Sequence, residues 1–169
     1  MRALVIIVLT SVLSFSTAAR AMDNEPADFR GVPWGAPFEQ YRNEMIVLRD
    51  EGDAVYYRRV GDIMKLNQVD ALKVAYRFYK GRFSTGVIQT YGGGNQKSLL
   101  EALKGTYGEP LRPRKRIQQY FWDGEQSYVM LACEVTSYCV VEYVSKPLMQ
   151  EEQADTGLAP ITQKKHDND

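Results

Sequence analysis

Two strand-like runs, Val74-Ala-Tyr-Arg-Phe-Tyr79 and Arg82-Phe-Ser-Thr-Gly-Val-Ile-Gln-Thr-Tyr91, are separated only by Lys80-Gly81. Aromatic and β-branched residues favour strands, and a two-residue connection that contains glycine is typical of a β-hairpin. Side chains of directly paired residues lie on the same face of a sheet. A two-residue turn therefore predicts a hairpin with one shared face that carries the pairs Phe78 with Phe83, Tyr76 with Thr85, and Val74 with Val87.

A second hairpin is predicted further along the chain. Ile117-Gln-Gln-Tyr-Phe-Trp122 and the run from Glu125 to Cys133 flank Asp123-Gly124. Asp-Gly is frequent in type I′ turns because both central residues of such a turn have positive φ. A last strand is predicted from Tyr138 to Ser145 and a weaker one from Ala54 to Val60. With the first hairpin, these segments give about six strands.

Two helices are also predicted. The first begins at Pro37, where the fixed φ and missing N–H of proline are tolerated, and runs to about Asn43. The second has a capping-box pattern at residues 98–101, or starts earlier with Asn95 as its cap, and Gly108 ends it. The order helix, three strands, helix, three strands predicts a two-layer α+β domain. Its antiparallel sheet of about six strands would carry both helices on one face.

The first 21 residues have the three parts of a secretory signal peptide. A positive start at Met1-Arg2 precedes an apolar run of about 11 residues, and Ala19-Arg-Ala21 is a small-x-small cleavage site. The apolar run is shorter than the roughly 20 residues of a membrane-spanning helix, so an uncleaved anchor is the weaker alternative. We therefore predict cleavage near Ala21 and a periplasmic location. No cysteine comes just after the run, so a lipid anchor is not expected.

A single domain is predicted from residue 28 to residue 146, a typical single-domain length. Residues 147–169 are polar and nearly free of aromatic side chains, which predicts a disordered tail with at most a helical turn around residues 148–153. The chain has 21 basic and 21 acidic residues, and removing Arg2 and Arg20 with the leader leaves two more acids than bases. This balance disfavours a nucleic-acid partner. No segment after the leader is apolar enough to predict a membrane span.

The two cysteines, Cys133 and Cys139, flank a short turn. A three-residue loop at residues 135–137 predicts three opposed pairs: Cys133 with Cys139, Leu131 with Val141, and Val129 with Tyr143. Opposed residues at a non-hydrogen-bonded site have Cα atoms about 4.5 Å apart, which a disulfide tolerates. Because the periplasm is oxidising, we predict a structural disulfide, with a pair of buried thiols as the alternative. The spacing differs from the Cys-x-x-Cys of redox-active pairs.

Signatures of catalysis are scarce. The single histidine, His166, lies in the predicted tail, which disfavours activation of a nucleophile by histidine. One histidine and two cysteines also make a poor zinc ligand set. The sequence therefore predicts no enzymatic activity, no cofactor and no metal. Paired carboxylates among residues such as Asp50, Glu51 and Asp53 leave a hydrolase as the weakest alternative.

Side chains suited to interaction are concentrated on the predicted strands. Tyr, Trp and Arg dominate binding hot spots, although they also suit a half-exposed sheet for structural reasons. If both helices cover one face, the other is open. We therefore predict a non-catalytic interaction module that binds a protein or a cell-envelope component through that open face or its rim. A small-ligand pocket between helices and sheet is the alternative. The predicted partner-binding residues are Arg77, Tyr79, Arg82, Tyr120 and Trp122.

The segment Phe29-Arg-Gly-Val-Pro-Trp34-Gly35 resembles the start of an uncharacterised family of small exported proteobacterial proteins. Further similarity lies in Tyr76-Arg-Phe78, Phe83 to Ile88, the spaced residues Asn95, Leu99, Leu103, Tyr107, Gly108 and Pro110, and Trp122. The resemblance covers most of residues 28–146 and implies no particular activity. In layout alone, the chain also resembles outer-membrane assembly accessory modules and β-lactamase-inhibitor-like modules. It differs from the former in lacking a cysteine that could carry a lipid.

Overall fold

The computed structural model describes residues 22–111, 118–134 and 137–157. The predicted leader at residues 1–21, His166 and residues 158–169 of the predicted tail lie outside the described residues. The elements, in chain order, are β1 (Asp28–Phe29), β2 (Val32–Pro33), β3 (Met45–Glu51), β4 (Ala54–Arg59), β5 (Lys65–Leu66), β6 (Val69–Asp70), β7 (Lys73–Tyr79), β8 (Arg82–Tyr91), α1 (Asn95–Tyr107), β9 (Gln119–Asp123), β10 (Ser127–Cys133), β11 (Tyr138–Ser145) and α2 (Lys146–Thr156).

Seven strands form one antiparallel sheet in the order β3-β4-β7-β8-β11-β10-β9, which confirms the α+β class. The predicted count of about six is one too low because β3 was not predicted. The first predicted helix is also wrong: two 3-10 turns, Phe38–Gln40 and Arg42–Glu44, occupy its place. Tyr41 lies between these turns with a φ of −117°, far from the α-helical value of about −60°. The chain therefore enters β3 instead of extending a helix.

The first hairpin has the predicted turn but a shifted register. Lys80 and Gly81 both have positive φ, as a type I′ turn requires, and Phe78 pairs with Phe83. A β-bulge follows, because Arg77 pairs with Thr85 and Ser84 is the extra residue. The other two predicted pairs are therefore wrong by one position: Tyr76 pairs with Gly86, and Val74 with Ile88.

The second hairpin has a longer turn than predicted. β9 ends at Asp123 and β10 begins at Ser127, so three residues connect the strands instead of the two residues of an Asp-Gly turn. The carboxylate of Glu25 explains the difference. It accepts hydrogen bonds from the backbone N–H groups of residues 125–127, at 2.8, 2.7 and 2.6 Å. The loop thus wraps around the carboxylate of Glu25, and a Cβ atom at Gly124 would lie only 2.4 Å from that group.

The cysteine pairing is confirmed. Cys133 at the end of β10 opposes Cys139 at the start of β11, and the two form a disulfide with a Cα–Cα distance of 4.1 Å. The predicted pairs of Leu131 with Val141 and of Val129 with Tyr143 are also present.

The two faces of the sheet are covered by different elements. Leu99 and Leu103 of α1 belong to one hydrophobic cluster with Tyr76, Phe78 and other side chains of one face. The amino-terminal segment packs on the same face. Phe29 lies beside Gly86, and Trp34 stacks on Phe83 with ring centroids 5.3 Å apart. α2 instead contacts Arg77 and Tyr79, which alternate with Tyr76 and Phe78 along β7. The two helices of the structure therefore lie on opposite faces, whereas the two predicted helices, which did not include α2, were expected to share one face.

The predicted disordered tail is wrong for residues 147–157. These residues form most of α2 and its capping residue, Gly157, which has positive φ. The prediction failed because the segment has little apolar surface of its own: Leu148 is its one buried side chain among the described residues. Its position depends on charged partners on the sheet. Neither described helix is long and apolar enough to cross a membrane.

Candidate functional site

α2 lies over the part of the sheet that the sequence predicts to be open. The guanidinium of Arg77 donates a hydrogen bond to Glu152, and the hydroxyl of Tyr79 donates one to Asp155 at 2.7 Å. Tyr79 is only 2% exposed, and the side chain of Arg77 is 13% exposed. The prediction of an open face is therefore wrong at these two residues, because a segment predicted to be disordered covers them.

The contact between α2 and the sheet is a row of opposite charges. Arg82 pairs with Glu151, and Lys80 pairs with Asp155 at 2.7 Å. The hydrogen bond from Lys80 is the largest influence on Asp155 and lowers the pKa of its carboxyl group, and the bond from Tyr79 lowers it further. We call the surface formed by Arg77, Tyr79, Lys80 and Arg82 the basic face. Three of the five predicted partner-binding residues lie on it, all in contact with α2.

The other two predicted residues lie on the opposite face. Trp122 is 1% exposed in the core, and its indole N–H donates a hydrogen bond to the carbonyl of Gly108 at 2.8 Å. Tyr120 is half-buried against the same hydrophobic cluster. The structure therefore does not bring Trp122 and Tyr120 together with the basic face. Trp122 fixes the end of α1 against β9, which is a structural contact.

Two open clefts border α2. One has a volume of about 290 Å³ and is lined by residues that include Trp34, Arg82 and Leu148. The other, of about 210 Å³, lies between β7, β8, β10, β11 and α2, and Glu142 and Tyr128 line it. Both are smaller than typical ligand sites, which have volumes of about 300–1,000 Å³.

The smaller cleft contains a carboxyl group in an unfavourable environment. Burial raises the pKa of Glu142, and the nearby charge of Arg77 opposes this shift. Burial also raises the pKa of Tyr128 to about 12. The other carboxylate that lines this cleft, Glu152, is already paired with Arg77. The cleft therefore holds a protonatable group but not two unpaired carboxylates. Among the described residues, no group of three or more His, Cys, Asp or Glu side chains could hold a metal ion.

Comparison with known proteins gives no assignment. No family model, no curated protein and no solved structure matches the chain.

The strand that the sequence did not predict provides a further candidate site. β3 lies at one edge of the sheet, and within the described ranges no strand pairs with its outer side. Ile46, Val47 and Leu48 are 42, 56 and 37% exposed, three consecutive apolar side chains at that edge. Unpaired edges with exposed apolar residues readily pair with another chain, and natural proteins usually protect them. We call these three residues and their strand the β3 edge.

The two edges of the sheet differ in how far their backbone groups are paired. At the opposite end, Leu111 forms an antiparallel bridge with Phe121 of β9, and each backbone N–H donates to the other residue's carbonyl, at 2.7 and 2.8 Å. That edge is thus partly paired by the chain itself. The β3 edge has milder protection: a register shift between Val47 and Arg49, and charged residues at positions 49–51.

A signal for β3 was present in the sequence. Met45-Ile-Val-Leu48 is a run of apolar residues, and the polar segment Arg49 to Asp53 with Gly52 follows it, as is typical of a strand that ends in a turn. The predicted helix ends at about Asn43, before this run, and no strand was predicted here. α2 has local signals in Pro147 of its first turn and Gly157 at its end, but its contacts with the sheet depend on residues about 70 positions away in the sequence.

Proposed function

We propose that this chain is an exported, non-catalytic interaction module that binds an extended segment of another protein along the β3 edge. The observation that carries the proposal is an edge strand that no other described strand pairs with on its outer side and that has three consecutive exposed apolar side chains. An extended peptide that joins such an edge gains backbone hydrogen bonds, and alternate side chains supply specificity. The proposal keeps the predicted rim of the sheet as the binding region and moves the site away from Tyr120 and Trp122.

The size and shape of the two clefts beside α2 favour a macromolecular partner over a small ligand. The two clefts at α2 are small and open, with volumes of about 290 and 210 Å³. Ligand sites bury most of a small molecule in a deeper, largely apolar cavity. A strand partner needs no cavity, because its backbone pairs with a preformed edge.

Charge along β3 restricts which segment fits. Residues 49–53 contain one arginine, Arg49, against the three carboxylates of Asp50, Glu51 and Asp53. Opposite charges on directly opposed residues stabilise a strand pair, and like charges destabilise it. The expected partner strand therefore has apolar residues opposite Ile46 to Leu48 and a lysine or arginine near Asp50 and Glu51.

Location in the periplasm is part of the proposal. The leader-like residues 1–21 support export, and the disulfide between Cys133 and Cys139 is of the kind that persists in an oxidising compartment. Detection of the mature protein in a periplasmic fraction, with Met22 at its amino terminus, would support this part. A cytoplasmic full-length product would contradict it.

The test of the β3 edge uses two matched lysine substitutions. Val47→Lys introduces a charge at the β3 edge, while Leu72→Lys introduces the same residue at a position that is 65% exposed and outside the large sheet. Tagged wild type and both variants are used to capture proteins from the native periplasm, and hydrogen exchange is then measured on the complex formed. We expect capture to survive Leu72→Lys and to fail with Val47→Lys, and residues 45–51 to be protected in the complex. Capture unaffected by Val47→Lys, or protection confined to another surface, would contradict the proposal. A homodimer protected at β3 would assign the edge to a second copy instead.

A further inference from the structure

The surface beneath α2 has the composition of a binding surface. The guanidinium carbon of Arg77 lies 5.6 Å from the ring centre of Tyr56 and 6.0 Å from that of Tyr79. The ammonium group of Lys80 lies 5.5 Å from the ring centre of Tyr79. Tyrosine and arginine are among the residues enriched in interaction hot spots, and cation–π contacts hold these side chains in a defined arrangement.

Charge contributes much of the contact between α2 and this surface. Only Leu148 among the 11 residues of α2 is buried. The pairs of Arg82 with Glu151 and of Lys80 with Asp155 are about 40% exposed, and exposed ion pairs add little stability because water solvates the separated charges. An isolated helix of this length is marginal in water. α2 is therefore held by contacts that a competing acidic segment could replace.

Release of α2 would leave the rest of the domain intact. Among the described residues, the main hydrophobic cluster includes none from α2 and lies on the other side of the sheet. Lys146 stays attached to the β9–β10 turn, since its backbone N–H donates to the carbonyl of Gln126 at 2.9 Å. The next residue, Pro147, has no N–H to lose. α2 can thus leave the sheet by rotation near Pro147 without breaking β11.

We propose that the basic face is a docking site for an acidic amphipathic helix of a partner protein, and that α2 occupies this site when the partner is absent. α2 itself gives the required chemistry: carboxylates at positions i, i+1 and i+4, supplied here by Glu151, Glu152 and Asp155, and an apolar residue at i−3, supplied by Leu148. This second surface is separate from the β3 edge, and the inference does not depend on strand addition there.

The first experiment asks whether charge holds α2 in place. In the full chain, Glu151→Lys with Asp155→Lys reverses two of the contacting carboxylates. The matched control, Gln150→Lys with Ala154→Lys, places two lysines with the same spacing on exposed positions of α2. We expect amide hydrogens of residues 148–156 to exchange about tenfold faster in the first variant and at the wild-type rate in the control. Equal protection in all three proteins would overturn the inference.

The second experiment asks whether the vacated surface binds an acidic helix in trans. The probe is a labelled synthetic peptide with the sequence of residues 146–157, and binding is measured by fluorescence anisotropy. The variant with Glu151→Lys and Asp155→Lys should bind the peptide about tenfold more tightly than the wild type does. Addition of Arg82→Glu to this variant should abolish binding, and a peptide that carries Glu151→Lys should restore it. Arg82 is 42% exposed, so its replacement is expected to leave the fold intact.

Three results would overturn the proposal: no peptide binding by a variant whose α2 exchanges rapidly, binding that Arg82→Glu does not change, or a dimer that exchanges α2 between two copies and excludes the peptide. Val47→Lys should leave peptide binding unchanged, because it alters only the β3 edge. Failure at the β3 edge and failure at the basic face can therefore be told apart.

Discussion

A methyl group added to Gly86 would occupy the space of the Phe29 ring. A Cβ atom built on Gly86 lies 2.5 Å or less from three atoms of that ring, whereas carbon atoms in contact are normally about 3.5–4.0 Å apart. Phe29 is 3% exposed, and the rings of Tyr76 and Tyr143 both lie with centroids 5.2 Å from its own. The ring therefore has little room to move, and Gly86→Ala forces either strained packing or expulsion of Phe29.

The magnitude follows from these two outcomes. Overpacking a core costs about 1–3 kcal/mol, and loss of a buried phenylalanine costs about 3–5 kcal/mol. Alanine has less conformational freedom than glycine in the unfolded chain, so the replacement also stabilises the folded state by about 0.5–1 kcal/mol. We expect Gly86→Ala to lower the free energy of unfolding by about 2–4 kcal/mol.

Urea unfolding followed by tryptophan fluorescence provides the assay, since Trp34 stacks on Phe83 and Trp122 is buried. Gly105→Ala in α1 is the control: its Cβ would meet nothing within 4 Å, and alanine in a helix should stabilise the protein by about 0.5–1 kcal/mol. The double variant with Phe29→Ala gives the sharpest test, because removal of the ring makes room for the methyl group. The two changes should then be strongly non-additive. Additive effects, or a Gly86→Ala protein as stable as wild type, would refute the packing argument.

Three further predictions concern the disulfide and two carboxyl groups. Replacing Cys133 and Cys139 by serine should lower the free energy of unfolding by about 2 kcal/mol, because the two residues are 6 positions apart and close a short loop. Reduction of the wild type should give the same loss, and unchanged stability under both treatments would contradict this. Glu142→Gln should stabilise the protein at pH 7. Burial raises the pKa of Glu142 in the folded state, so its ionisation disfavours folding, and the gain should disappear below the unfolded-state pKa of about 4.3. Glu25→Gln should have the opposite effect. Burial acts to raise the pKa of Glu25, but hydrogen bonds from residues 125–127 lower it overall, so its stabilisation is present above the unfolded-state pKa and is lost as pH falls through the folded-state value. Urea titrations from about pH 3 to pH 8 measure both carboxyl groups. Parallel stability profiles for Glu142→Gln and Glu25→Gln would show that one of these signs is wrong.

Local sequence patterns predicted the structure correctly where the contacting residues are close in sequence. The turn at Lys80-Gly81, the opposed cysteines and the end of α1 at Gly108 all follow from residues within a few positions of one another. The alternation of side chains also gave the correct pairing of Phe78 with Phe83. The spacing of hydrophobic residues and the residues that favour turns predict such features because both act within one helical turn or one hairpin.

The candidate site was predicted less completely from local sequence patterns. Arg77, Tyr79 and Arg82 were predicted to bind a partner at the open face or its rim, and they do lie together on one face, but the helix that covers them was predicted to be disordered. The prediction of disorder relied on composition, which indicates only how much apolar surface a segment can bury. α2 buries only Leu148. Its carboxylates find their partners on strands about 70 residues earlier in the chain, and no local pattern contains such a pairing.

The sequence by itself determined the class of fold, the hairpins around residues 80 and 124, and the disulfide, because each depends on neighbouring residues and on backbone preferences. Tertiary structure alone decided that the β8 register shifts at Ser84, that the β9–β10 turn wraps the Glu25 carboxylate, and that α1 and α2 lie on opposite faces. The last two of these features bring together groups that are far apart in the chain. Their energies come from packing and charge contacts that exist only once the sheet has formed.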